Sequence, residues 1–181
     1  MDLPSLHTGR LVLRPYSLAD VPHLIRLAGA REVAATTLRI PHPYREPDAV
    51  DFIASCQVDF ELDRCARFAV TLPESGEFCG GVGLHIERWQ HQGELGYWLG
   101  VPYWGKGYAT ECARAVVHYG FESLQLHRIY ASHLAHNSAS GRVLQKIGMH
   151  HEGRLREHFF KWNKFYDAEF YGILSTDPRP Q

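Results

Sequence analysis

GELGYWLGVPYWGKGYATE, residues 93–111, is the stretch on which the reading of this chain turns. It reads as a strand, then a glycine loop, then a helix. The strand carries a carboxylate, Glu94, and the loop offers main-chain N–H groups to an anion. Those groups are unpaired at a helix start, and the helix dipole behind them favours negative charge. Gly105 and Gly107 remove side chains there, so a pyrophosphate can approach the backbone, and Lys106 adds a mobile cation. The loop is not a P-loop, because no Lys-Ser/Thr pair follows the spaced glycines. It is not a dinucleotide fingerprint either: counted from Gly105 the third glycine position holds Thr110, and counted from Gly81 it holds Ile86. On these residues alone, a plain tight turn leading into a helix fits as well as a phosphate cradle.

Bulk properties narrow the class. A chain of 181 residues is most simply one domain, 1–181, and is long enough to bury a sizeable core without staples. Its 19 basic and 20 acidic residues nearly cancel, which argues against nucleic acid as a partner. No window approaches the roughly 18 consecutive apolar residues of a membrane span. The start, MDLPSLHTGRLVL, has an acid at position 2 and no apolar run of signal length. The four cysteines form no CxxC pair and read as lone buried thiols in a reducing cytoplasm. Among the 12 histidines no pair has the helical spacing of a zinc motif, so no metal is expected.

Working outward from the central stretch, residues 67–72 and 78–87 read as a hairpin around the turn Pro73-Glu74-Ser75-Gly76. Gly80, Gly81 and Gly83 mark a bulge or a close backbone approach. Upstream, RLVLRPY at 10–16 alternates as an edge strand, and a helix follows with Asp20 or Ser17 as its cap and Gly29 as its stop. Residues 31–45 read as irregular. Their Pro41-His42-Pro43-Tyr44 run is either a plain connection or a wall of a substrate cleft, with His42 and Tyr44 as the substrate-binding candidates. An amphipathic helix then runs from Pro47 to about Leu62. Downstream of the loop, Ala109, Cys112, Ala113, Val116, Val117 and Gly120 form a helical stripe of small residues that lets the helix pack closely. A short strand over 127–133, a helix capped by Asn137 and closed by Gly148, and two final strands turning at Trp162-Asn163 complete the chain; 175–181 reads as a frayed tail. The order β-α-α-β-β-β-α-β-α-β-β predicts a mixed α/β domain.

Several motifs together resemble one family. WGKGYAT before the small-residue helix is similar to the acyl-CoA pyrophosphate loop of GNAT N-acetyltransferases, written Gln/Arg-x-x-Gly-x-Gly/Ala. Here Trp104 departs from the usual first position, a departure typical of the RimJ/RimL-like branch, whose members resemble ribosomal-protein N-terminal acetyltransferases. GELGYWL, IPHPY and HNSASGRVLQKIGMHHEGRLRE look like that branch too, and they arrive in its order along nearly the whole chain. The resemblance implies a single-domain GNAT-like α/β (α+β) fold: a mixed, mostly antiparallel sheet with splayed central strands, flanked by about four helices.

It further implies that the strand holding Trp98 and the strand starting near His127 part to admit the pantetheine arm of acetyl-CoA. Main-chain groups of Trp98, Leu99 and Gly100 would pair with that arm, and an N–H of Trp98 or Leu99 would polarise the thioester carbonyl. The pyrophosphate would rest on Gly105, Lys106, Gly107, Tyr108, Ala109 and Thr110. Acetylating an amine needs a base near the acceptor. Glu94, ten residues before Trp104, stands where family members with a glutamate base carry it. A carboxylate of ordinary pKa about 4.3 serves that purpose when burial raises it, for which Leu95, Tyr97 and Trp98 are at hand; a structural ion pair is the other reading of Glu94. Ser140 matches the donor to the departing thiolate and Asn137 a contact to the cofactor arm, although both also suit plain helix capping. Arg142 is assigned to the phosphates, though an exposed helix face explains it equally. The expected activity is acetyl transfer from acetyl-CoA to a primary amine, a protein or peptide α-amine. The alternatives are a small-molecule amine or a non-catalytic acetyl-CoA-binding module. The chain is expected as a monomer or homodimer.

Overall fold

The computed structural model describes residues 3–179, built on one eight-stranded sheet in the order β1-β2-β3-β4-β5-β6-β8-β7. The strands are β1 Leu6–His7, β2 Val12–Arg14, β3 Cys65–Thr71, β4 Phe78–Glu87, β5 Gln92–Leu99, β6 Arg128–Leu134, β7 His150–Lys161 and β8 Lys164–Leu174. Five α-helices join them: α1 Val21–Ala28, α2 Arg31–Thr36, α3 Glu46–Glu61, α4 Tyr108–Glu122 and α5 Ser138–Lys146. All neighbouring strands are antiparallel except β5 and β6, which run parallel and pair only over Gln92, Gly93 and Glu94 against Arg128, Ile129 and Tyr130. Beyond Glu94 the two strands part. This is the mostly antiparallel sheet with splayed central strands expected of the sequence, with one helix more.

Side-chain alternation shows which helices cover which face. Leu84 of β4 and Ile129 of β6 lie against Gly120 of α4, where an added Cβ would stand 2.8 and 2.7 Å from their terminal carbons. The small-residue stripe of α4 is thus a close-packing face. Gly81, of opposite parity to Leu84, faces the other way: a Cβ there would stand 2.0 Å from the Tyr16 hydroxyl, and Tyr16 meets Phe52 of α3 edge-on at 5.1 Å. So α4 lies on one face and α3 on the other. With both faces covered, β3 is a near-continuous apolar run in which Ala66, Phe68, Ala69 and Val70 are fully buried.

The turns follow their chemistry. Gly76, at φ +69°, closes the β3–β4 hairpin with its N–H on Leu72 O at 3.0 Å. Trp162 and Asn163, both left-handed, form the two-residue turn between β7 and β8. The glycine run in β4 is a close approach: Gly80 and Gly81 both sit against the backbone or side chain of β5.

Three expectations change. Residues 31–36 form a helix, α2, which buries Val33 and Ala34 but begins at Ala30 without any side-chain cap. The pair β1–β2 extends the sheet by a two-residue strand. Residues 175–179 are tied down rather than frayed: Ser175 N–H reaches His127 O at 2.8 Å and Arg179 pairs with Glu122 at 2.8 Å. Residues 180 and 181 lie outside the described residues.

Asp20, at the start of α1, is a buried carboxylate whose charge is held by its neighbours. It is buried, takes two hydrogen bonds from Arg14 at 2.8 and 2.7 Å and one from Ser17 N–H at 2.9 Å. Burial works against its charge, but the bonds from Arg14 and Ser17 outweigh it and hold its pKa below the usual carboxylate range. A lowered folded pKa contributes stability above the ordinary aspartate value that is lost as pH falls through the folded one. Asp20→Asn is expected to cost about 2 kcal/mol at pH 7, as for hydrogen bonds to a charged group. Its urea midpoint should fall less than the wild type's between pH 5 and pH 3.

Candidate active site

The parting of β5 from β6 leaves backbone groups unpaired, and the ladder identifies them. Gly100 N–H bonds the O of Cys79, the residue opposite it where the β4–β5 register continues, at 2.9 Å. Antiparallel bonding alternates along a strand, so Glu94, Gly96 and Trp98 direct their main chain to β4 while Tyr97 and Leu99 direct theirs into the gap. Arg128 N–H on His91 O, at 3.2 Å, fits the same parity on the β6 side. On the β5 side the free donors of the gap are therefore Tyr97 and Leu99, and Trp98 N–H is turned away. The carbonyl of Leu99 is taken by the indole N–H of Trp104 at 2.7 Å, which ties the strand end to the glycine loop.

A cleft of about 850 Å³ runs through this gap and opens on both faces of the sheet. Of the site residues assigned from sequence, only Gly100, Lys106 and His42 do not line it. Gly100 packs on Leu27, with its N–H already bonded to Cys79. The Lys106 ammonium lies over the Tyr103 ring at 5.6 Å. His42 turns outward to the Trp162 ring at 6.3 Å.

On the α4 face the glycine loop leads into the helix start. Gly105 and Gly107 have φ of +75° and +80°, a region that other residues enter at a cost, and Gly107 is the cap of α4. The first closed turn of the helix is Glu111 N–H to Gly107 O at 3.1 Å, so the N–H groups of Tyr108, Ala109 and Thr110 precede it and are free for an anion. Glu111 would repel that anion, but it is held aside: Thr8 bonds it at 2.7 Å and Arg10 at 2.8 Å, while Arg10 also bonds Lys106 O at 3.0 Å. Burial opposes the Glu111 charge, and the bonds from Thr8 and Arg10 overcome it and keep its pKa below the usual range. Arg10 is a support for the loop that the local sequence does not announce.

Where α5 begins, the Ser140 hydroxyl lies 2.7 Å from the Tyr97 hydroxyl, which also donates to Ser140 O at 3.2 Å. Burial pushes the Tyr97 phenol well above its ordinary pKa, so it is a neutral donor at physiological pH. Asn137 caps α5 by accepting from Ser140 N–H at 3.2 Å and uses its amide to hold Thr36 O at 3.2 Å. Both of its polar ends are thus engaged in structure. Arg142 reaches only Ser138 Oγ, at 3.2 Å, and remains exposed at the cleft.

On the opposite face, Glu94 sits at the last paired position of β5, between His85 of β4 and Tyr130 of β6. Its carboxylate accepts from Arg39 Nη2 at 2.6 Å. The Tyr130 phenol is pushed up to about 12 by burial, then by the charges of Glu94 and Glu87. Tyr44, also raised to about 12 by burial and by Asp48, stays a neutral donor in the same cleft. His85 Nδ1 lies 3.0 Å from Cys65 Sγ. All four cysteines are free and buried. Among the described residues no His/Cys/Asp/Glu group is arranged to hold a metal ion, and no helix is long and apolar enough to cross a membrane.

Comparison with known proteins agrees with this fold. Residues 10–150 match the acetyltransferase (GNAT) domain. The uncharacterized N-acetyltransferase YnaD of Bacillus subtilis (strain 168) is 35% identical over 171 residues, covering 94% of this chain and 96% of its own. The crystal structure of a GNAT-family acetyltransferase from Bacillus anthracis superposes with a TM-score of 0.86 at 27% identity, over 96% of this chain and 100% of its own. RimL, a ribosomal L7/L12 alpha-N-protein acetyltransferase solved with coenzyme A, shares the fold with a TM-score of 0.85 at 16% identity, over 94% of this chain and 98% of its own.

Proposed function

This chain belongs to the GNAT acetyltransferases and is an acetyl-CoA-dependent N-acetyltransferase; we propose that its acceptor is the α-amine of a protein or peptide and that transfer is by direct attack. One observation carries the reading. Glu94 and Tyr97 belong to one splayed strand but stand on opposite faces of it, and Ser140 of α5 meets Tyr97, so that a base and a thiolate donor flank the same gap. The α-amine is drawn from the RimJ/RimL-like motifs of the sequence.

Acetyl-CoA supplies an activated thioester when bound. The residues lining the gap fit it, with free helix-start amides at Tyr108, Ala109 and Thr110 for its phosphates and unpaired strand groups at Tyr97 and Leu99 for its arm. The Leu99 N–H is placed to stabilise charge developing on a carbonyl oxygen, a contribution of about 3 kcal/mol for a preorganised donor. Glu94 takes the proton that the acceptor nitrogen sheds on becoming an amide, directly or through water. Ser140 or Tyr97 donates to the departing sulfur. The buried, unpaired thiols suit a reducing cytoplasm.

Release of free thiol, screened across amines, tests this. Peptides with free N-termini should be turned over and N-acetylated ones should not. Turnover of polyamines or aminoglycosides with no peptide activity would move the acceptor to small molecules. Stabilisation against heat by acetyl-CoA without thiol release from any amine would favour a binding module.

A further inference from the structure

The Arg39–Glu94 contact is a one-point ion pair, as are Arg67–Asp59 and Arg179–Glu122, but its arginine is the most exposed of the paired arginines among the described residues. Arg14 with Asp20, Arg128 with Glu152 and Arg88 with Asp63 each use two nitrogens on two carboxylate oxygens. Arg39 gives Glu94 a single hydrogen bond, and its side chain is 75% exposed against 21% for the glutamate. It makes no other hydrogen bond among the described residues. An exposed, one-point ion pair of this kind is weak and readily exchanged. Arg39 stands in the stretch without regular structure between α2 and α3, whose start is anchored by Lys161 on Thr37 O and by Asn137 on Thr36 O. The cleft it enters is also lined by Asp48 and Asp51 of α3 and by Arg67 of β3, which is paired with Asp59.

The guanidinium nitrogen lies 2.6 Å from the Glu94 oxygen, within the 2.6–3.2 Å or so at which a base takes a proton from an acceptor. We propose that Arg39 occupies the acceptor-nitrogen subsite as a resident cation and acts as a specificity residue, admitting amines that arrive neutral and penalising those that arrive as ammonium. An ammonium must displace Arg39 against a like charge held close by, whereas a neutral amine meets no such repulsion. With an ordinary pKa of about 7.7–8.0, roughly one α-amine in eight is neutral at pH 7. With a pKa of about 10.4, only about one alkylamine in 2,500 is. The resident cation therefore tilts the site towards α-amines. This inference rests on the acceptor reading above and deepens it.

Calorimetric binding of spermidine to the protein saturated with coenzyme A tests it without requiring turnover. Arg39→Gln should bind spermidine about tenfold more tightly than the wild type, and Arg39→Lys, which keeps the charge, should behave as wild type. Arg39→Gln combined with Glu94→Gln should lose the gain. In turnover, the ratio of kcat/KM for an N-terminal peptide to that for spermidine should fall about tenfold in Arg39→Gln. Spermidine binding that is unchanged or weaker in Arg39→Gln overturns the proposal, because Arg39 is then ordinary surface or part of the binding wall. Tighter spermidine binding with no thiol release from any amine would remove the transfer reading and leave the resident cation standing. Peptide turnover with unchanged spermidine binding would do the reverse.

Discussion

Glu94→Gln is expected to lower kcat/KM for the amine by about 10³-fold near neutral pH, the middle of the range for general-base catalysis, with affinity for acetyl-CoA unchanged. Glutamine is nearly isosteric and keeps an oxygen for Arg39, so the 2.6 Å contact survives as a neutral hydrogen bond and the fold is not disturbed. What disappears is the proton acceptor. The variant can use only amine already neutral in bulk water and has no carboxylate for the proton released on attack; the neutral fraction rises about tenfold per pH unit well below the amine's own pKa of about 7.7–8.0. Its rate should therefore climb with that slope from pH 6 to about pH 7 and then level off around pH 8, and its deficit against the wild type should narrow towards pH 9. Thiol release across this range, with calorimetry for acetyl-CoA, separates the two readings of this carboxylate. Full activity at every pH would make Glu94 a structural partner of Arg39. A constant deficit at all pH values would point to a misplaced acceptor rather than to a missing base.

That experiment depends on a contact which the sequence did not disclose, and the reason is physical. The glycine loop was legible because its chemistry is local: Gly105 and Gly107 need left-handed φ, and free helix-start amides follow from chain direction alone. The β3–β4 hairpin and the α4 stripe were legible for the same reason, since turn residues and side-chain period act over a few positions. Arg39 and Glu94 are 55 residues apart, and Tyr97 and Ser140 are 43 apart. No local pattern couples such pairs; they meet because β5 and β6 part after Glu94 and α5 starts beside the gap. Helix α2 was missed because it is six residues long and starts without a side-chain cap, so it draws its stability from burying Val33 and Ala34 rather than from propensity. His42 was assigned to the cleft from its place in the Pro41–Tyr44 run, yet its ring packs towards Trp162 while Tyr44 faces the cleft. In an irregular segment the sequence has no period from which to read which side chain points inward.

The second large effect is expected at the thiolate side, and it should appear only when two hydroxyls are removed together. Ser140 and Tyr97 stand 2.7 Å apart at the cleft, and each has a proton to give. Coenzyme A leaves as a thiolate whose pKa, by analogy with cysteine, is about 8.5, so it needs one good donor rather than a strong acid. Ser140→Ala leaves the phenol in place and frees it from its serine partner. Tyr97→Phe leaves the hydroxyl of Ser140, which α5 still positions through Asn137. Each single variant should therefore lose about tenfold in kcat, whereas the double variant should lose about 10³-fold, near the upper end for removing a preorganised donor. Losses larger than the product of the singles are the mark of groups that substitute for one another. Single-turnover thiol release with calorimetry for coenzyme A tests this. Equal losses in Ser140→Ala and the double variant would mean that Tyr97 merely holds the serine. Unchanged turnover and cofactor affinity in both Ser140→Ala and the double variant would remove the hydroxyl pair from the chemistry and leave the sulfur to water.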